Sequence, residues 1–232
     1  MPKKNDTKRN TGEADKAVMP PSLPLIVIDR LRMETDGEGV TTLVAAKGCP
    51  LSCKYCINKK VLSEQTPFTI VTPEELLEKV KIDDLYFRAT GGGVVFGGGE
   101  SLIHADFIVA FAKIMPEDWT LIVETSLNVP EKMLRKVMPC VDWYIVDVKS
   151  TDPEVYKAYT GMDNANVRRN LKILADEGYA DRVKVRVPYI KGYNTPEDVK
   201  KSITELRKVG AFAMIEAFPY RIPEEEEEGA KE

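Results

Sequence analysis

The sequence predicts an α/β fold in which six strands alternate with helices. Three observations lead there. Six short runs rich in β-branched residues recur along the chain, most of them nearly unbroken in apolar residues, as strands covered on both faces require. The stretches between them carry helical patterns, and three of these open on a capping residue followed by proline. No linker-like shift in composition divides the 232 residues, of which 43% are hydrophobic and 30% charged, so they fit one domain with a full core. The same balance excludes collagenous, mucin-like and wholly disordered classes.

Residues 1–22 carry Lys3, Lys4, Asp6, Lys8, Arg9, Glu13, Asp15 and Lys16 among few apolar side chains. Such a segment cannot bury enough surface to offset its ordering entropy, and a disordered arm is expected. The domain is expected over 23–222, with strands at Thr42–Ala46, Gly93–Phe96, Leu121–Glu124, Trp143–Val148, Val183–Val187 and Ala213–Phe218. Thr72-Pro73 opens the first helix, and Glu75 completes its capping box. Asp152-Pro153 and Thr195-Pro196 open two more. Val167, Leu171 and Leu174 line one face of a helix ending at Gly178, and Val199, Ile203, Leu206 and Val209 line another that Gly210 closes. Residues 223–232 are read as a solvated acidic tail. Right-handed crossovers wind such a repeat into an open doubly wound sheet or a barrel, and the pattern leaves both open. In either, the site belongs at the carboxyl ends of the strands.

The net charge is −4, but residues 224–232 hold six glutamates and one lysine, a local −5 that leaves +1 for the rest. A near-neutral body argues neither for nor against nucleic acid, and none is expected as a partner. No stretch approaches the ~20 apolar residues of a bilayer span, and residues 1–10 lead into no apolar signal core. The expectation is a cytoplasmic monomer that does not engage membranes.

Three of the four cysteines fall within eight residues, in Gly48-Cys49-Pro50-Leu51-Ser52-Cys53-Lys54-Tyr55-Cys56, directly after the first expected strand. Thiolates spaced C-x3-C-x2-C on one tight loop can hold three irons of a cubane cluster and leave the fourth iron open. The competing readings fit less well. A structural zinc site needs four ligands, and the remaining candidates, His104 and Cys140, lie far away in sequence. A disulfide would leave one thiol over. Three unrelated buried cysteines would not normally share a loop.

This motif, with the aromatic Tyr55 before the last cysteine, is similar to that of the radical S-adenosylmethionine (SAM) enzymes. The resemblance implies a partial (β/α)6 barrel, a [4Fe-4S] cluster on Cys49, Cys53 and Cys56, and SAM bound at the open iron with its adenine near Tyr55. Gly97-Gly98-Gly99-Glu100 follows the second expected strand. It lacks the third glycine of a dinucleotide fingerprint, since position 102 is Leu102, and the Lys of a P-loop, since Glu100-Ser101 follows the glycines. A carboxylate there would repel phosphate and suits an ammonium. The resemblance assigns Gly98, Gly99 and Glu100 to the SAM amino group. Gly91–Gly93 matches no motif.

The third strand ends in Glu124-Thr125-Ser126-Leu127-Asn128 and the fourth in Asp147-Val148-Lys149. Polar groups gathered at strand ends read either as site residues or as loop caps. An acid-Thr element and an Asp-x-Lys element at these places resemble the activating enzymes of glycyl radical enzymes of the pyruvate formate-lyase type. The resemblance implies that Glu124, Thr125, Asp147 and Lys149 touch the SAM carboxylate and ribose, and that the two acids help bind a monovalent cation. Glu124 stands where Asp is usual. Thr35–Gly39, Thr160–Asn164, Val187-Pro188 and Phe218–Arg221 are similar to further activase segments, with Arg221 in place of the common His. The stretch from Ile57 to Thr72 has no cysteine, so the eight-cysteine insert of larger activases is absent. Cys140 is expected to be a small buried residue, His104 to have no role, and Trp119 and Trp143 to anchor the core.

The expected activity follows from the resemblance. An electron from flavodoxin or ferredoxin enters the cluster, SAM is cleaved, and a 5′-deoxyadenosyl radical takes hydrogen from a glycine of a partner glycyl radical enzyme. The alternatives are a radical SAM enzyme acting on a small molecule or peptide, and a non-catalytic iron–sulfur or zinc protein.

Overall fold

The computed structural model describes residues 20–33 and 35–221. All but the last residues of the expected arm, and the whole acidic tail, lie outside the described residues. Eight strands form one open sheet in the order β3-β1-β2-β4-β5-β6-β7-β8. They are β1 (Leu23–Met33), β2 (Val40–Ala46), β3 (Thr69–Val71), β4 (Gly93–Gly98), β5 (Thr120–Thr125), β6 (Trp143–Asp147), β7 (Val183–Tyr189) and β8 (Met214–Pro219). The six expected strands are β2 and β4–β8, all parallel. The two additional strands, β1 and β3, pair antiparallel at one edge.

Helices fill the crossovers: α1 (Pro73–Val80), α2 (Asp84–Thr90), α3 (Ala105–Ala112), α4 (Glu131–Val137), α5 (Pro153–Thr160), α6 (Ala165–Asp176) and α7 (Pro196–Val209). The three proline starts are realised. Thr72 and Thr195 each form a capping box, with Glu75 and Asp198, and the Asp152 carboxylate accepts from Glu154 N and Val155 N. Gly178 has φ +83°, as a left-handed helix stop requires. Gly210 does not. Its φ of −172° is extended, and glycine is needed for space, because a Cβ there would lie 2.7 Å from Ala175 Cβ. The tryptophans also divide. Trp119 is buried edge-on against Phe87, with Nε1 donating to Asp84, whereas Trp143 is 41% exposed and anchors no core.

Strand side chains alternate between two faces of the sheet. One face packs under the helices in a single large core that includes Val94, Phe96, Leu121, Val123, Tyr144, Val146, Val183 and Val185. The other carries a small separate apolar cluster, Val95, Ile122 and Ile145, with Leu43 against it. Two residues further along their strands, Ile122 and Ile145 give way to Glu124 and Asp147. The inner face therefore has an apolar floor and a polar rim, and the rim lies at the carboxyl ends.

Candidate active site

The cysteine loop leaves β2 at its carboxyl end and is held from three sides. Glu100 N donates to Gly48 O at 2.9 Å. Ser52 N and Lys54 N donate to Thr160 O and Tyr159 O at the end of α5. His104 Nε2 lies 2.7 Å from Lys47 O, so its ring carries a proton on that nitrogen; it thus pins the loop, a role its isolation in the sequence does not suggest. The close approach explains the glycines. A Cβ on Gly99 would lie 2.0 Å from Gly48 O, and Gly98 has φ +89°.

Cys49 is exposed, Cys53 and Cys56 are half-buried, and all three are free thiols. Burial pushes the Cys53 thiol up to about 11 against the partial relief given by Lys149, and burial also raises Cys49. Thiolates in such a place need positive charge from a bound metal. Among the described residues no three His, Cys, Asp or Glu side chains are grouped to hold a single metal ion. Cys140 is half-buried just before β6, at the amino ends of the strands, and its Sγ donates to Val137 O. It is not a fourth ligand.

Glu100 is 1% exposed. Its Oε1 accepts from Leu102 N (3.1 Å) and Thr125 Oγ1 (2.5 Å), and its Oε2 from Ser126 N (2.9 Å) and Ser126 Oγ (2.6 Å). Burial raises its pKa, and these four bonds oppose that rise. The carboxylate ties the end of β4 to the end of β5. Thr125 Oγ1 accepts from Leu127 N, and Leu127 sits at φ +57°. Asn170 in α6 holds the same turn by donating to Leu127 O and Val129 O.

Asp147, Lys149 and Glu124 meet through Arg186, which no motif marks. Arg186 Nε donates to Asp147 Oδ1 at 2.7 Å and Nη2 to Glu124 Oε1 at 3.1 Å. Lys149 Nζ donates to Asp147 Oδ2 at 3.2 Å. Burial alone would lift the Asp147 carboxyl, but Lys149 and Arg186 outweigh it and hold its pKa below the ordinary value. Burial would lower Lys149, yet Asp147 raises it to about 12. Glu124 is raised, chiefly by burial, with Arg186 opposing.

Tyr55 packs edge-on to Tyr193 and Tyr159, and Tyr159 in turn to Tyr220, whose ring also receives Lys149 Nζ at 5.0 Å. The aromatic group thus joins the cysteine loop, α5, the segment after β7 and the end of β8. Asn58, also unmarked by any motif, donates to Gly98 O. Asp36 of the Thr35–Gly39 stretch is buried against Arg32 and Thr41.

Residues 43–206 match the family model described as the radical SAM superfamily, and the chain belongs to that superfamily. Its open sheet is the partial barrel of that type, and the protein is a radical SAM enzyme. Curated relatives are activating enzymes. The (2S)-3-sulfopropanediol dehydratase activating enzyme of Klebsiella oxytoca is 35% identical over 221 residues, 68% of this chain and 69% of that one. The pyruvate formate-lyase-activating enzyme of Clostridium pasteurianum is 27% identical over 186 residues, 80% and 77% of the two chains. For the indoleacetate decarboxylase activating enzyme of Tractidigestivibacter scatoligenes, 29% identical over 152 residues, the match covers 65% of this chain and only 48% of the relative. QueE from Escherichia coli shares the fold, with a TM-score of 0.57 over 86% of this chain and 84% of that one, at 15% identity. The family implies a [4Fe-4S] cluster and SAM. Three free thiols on one anchored loop, with no fourth cysteine at that end of the sheet among the described residues, fit such a cluster.

Proposed function

We propose that this chain activates a glycyl radical enzyme. The observation that supports it most directly is the convergence of the cysteine loop with four strand ends, so that thiols, Glu100, Asp147 and Lys149 share one rim. Cys49, Cys53 and Cys56 would hold the cluster. When bound, cluster and SAM would supply, with one electron from the donor, the reductive radical chemistry that removes a hydrogen atom from the partner's glycine. The chain's own residues position and exclude. Gly98 and Gly99 keep backbone close to the cysteine loop, where the SAM amino group is expected. Lys149 stays cationic to well above neutral pH and can meet a carboxylate or ribose oxygen. Thr125 fixes the turn through Glu100, and Tyr55 offers a ring face for adenine.

Among the described residues the sheet is open between β3 and β8, and a small substrate held by them would lack walls on that side. A partner's glycine loop brings its own cover. Flavodoxin or ferredoxin as electron donor, a monomeric state and a cytoplasmic location belong to the same proposal. Among the described residues no helix is long and apolar enough to cross a membrane. The test incubates the reduced enzyme and SAM with a co-encoded glycyl radical enzyme and records an electron paramagnetic resonance spectrum. A glycyl doublet is expected. Hydrogen transfer from a small metabolite into 5′-deoxyadenosine, with no doublet on any co-encoded protein, would overturn the reading.

A further inference from the structure

We infer that the Arg186 guanidinium occupies the place between Glu124 and Asp147 where a monovalent cation would otherwise bind, so that this chain carries its cation covalently. The residues do not fit a free ion. Asp147 gives Oδ1 to Arg186 Nε and Oδ2 to Lys149 Nζ, and Glu124 gives Oε1 to Arg186 Nη2. Three of the four oxygens the pair could offer are engaged by fixed positive groups. A bound ion needs several oxygens whose lone pairs are not taken by protein donors.

The charges reach the same answer. The acids whose fields meet here are Glu124, Asp147 and Asp36. The bases are Arg186, Lys149 and Arg32, the last paired to Asp36 at 2.5 Å. Arg186 and Lys149 balance Glu124 and Asp147, while Arg32 is shared by Asp36 and the exposed Asp29. The environment is part-buried, with the Arg186 and Glu124 side chains each 21% exposed, so an added cation would bring uncompensated charge into a poorly solvated place.

The length of the acid at position 124 fits this arrangement. Glu124 lies on β5 and Arg186 on β7, with β6 between them. Two strand spacings of ~4.8 Å separate the backbones, a gap that only two long side chains close. Aspartate, one methylene shorter, would fall back from the guanidinium. Glutamate meets the arginine directly.

The inference rests on the proposed SAM site only for where an ion would be sought, and its main readout needs neither SAM nor turnover. The cluster-loaded protein is dialysed anaerobically against rubidium chloride in tetramethylammonium buffer, with and without SAM, and bound rubidium is counted. Wild type is expected to take up none at the site. Arg186→Gln and Arg186→Met, which free Asp147 Oδ1 and Glu124 Oε1 and leave the acids one charge in excess, are each expected to take up one per chain. Where SAM binds, rubidium in place of tetramethylammonium should leave wild-type affinity unchanged and tighten that of Arg186→Gln about tenfold. Should Arg186→Gln fail to fold, by circular dichroism, Arg186→Met decides the matter. One rubidium per wild-type chain, or none in any folded variant, overturns the inference. Failure to bind SAM with an unchanged rubidium count overturns the SAM reading and leaves this one standing.

Discussion

Replacing Glu100 tests whether one carboxylate holds the strand ends together. It accepts two backbone N–H groups, from Leu102 and Ser126, and two hydroxyls, from Thr125 and Ser126. In Glu100→Ala the hydroxyls can rotate to other acceptors, but the N–H groups are fixed. Each buried donor left without an acceptor costs about 1–3 kcal/mol. Two give roughly 2–6 kcal/mol, and water entering the vacated space places the expectation near ~3 kcal/mol. With ~2.1 cal/mol/K of unfolding entropy per residue, that lowers the Tm by about 6 °C. Glu100→Gln keeps one carbonyl acceptor and should lose about half as much. The pH dependence is a second test. Burial, ahead of the opposing hydrogen bonds, raises the folded pKa of Glu100 above its unfolded value. A raised acid contributes stability that is fully present below the unfolded pKa of about 4.3 and is lost as pH climbs through the folded value. Glu100→Gln cannot titrate, so the wild type's advantage over it should shrink as pH rises. Thermal unfolding of the anaerobically isolated protein, followed by circular dichroism across pH, reads both effects. An alanine variant with an unaltered Tm, or parallel wild-type and glutamine curves, would refute the reasoning.

Alanine at Cys49, Cys53 or Cys56 should each abolish retention of about four irons and four sulfides per chain after reconstitution, whereas Cys140→Ala should leave that content intact; iron and sulfide analysis distinguishes them. Asn170→Ala strands the carbonyls of Leu127 and Val129 and should cost about 1–3 kcal/mol, seen as a lower urea midpoint at constant m.

The parallel strands are legible in the sequence because burial on both faces leaves apolar runs such as Gly93–Phe96 and Leu121–Val123 standing out from polar surroundings. The two edge strands are not. The second half of β1 alternates Asp29, Arg30, Leu31 and Arg32 with partial exposure and is broken by a bulge at which Leu31 takes φ +55°, while β3 is only three residues long. Gly210 reads as a helix stop from its position, but its reason is a contact with Ala175 on a different helix, which no local pattern carries.

The same division runs through the site. Cys49, Cys53, Cys56 and the Gly98–Glu100 turn are legible because their geometry is set within a few residues of chain, and spacing records it. Arg186 is not, because its meaning lies in partners 39 and 62 residues away, brought together only by the register of three parallel strands. Arg186 follows Lys184 in the alternation of Val183–Tyr189 and reads as one more polar-face position until β6 and β5 are set beside it. Glu124 is the converse case. Its position marks it as an acid of the rim, but only the sheet shows that its extra methylene is spent reaching across β6. The residues proposed to bind cofactor are thus written locally, whereas those that set the charge beside them are written in the topology.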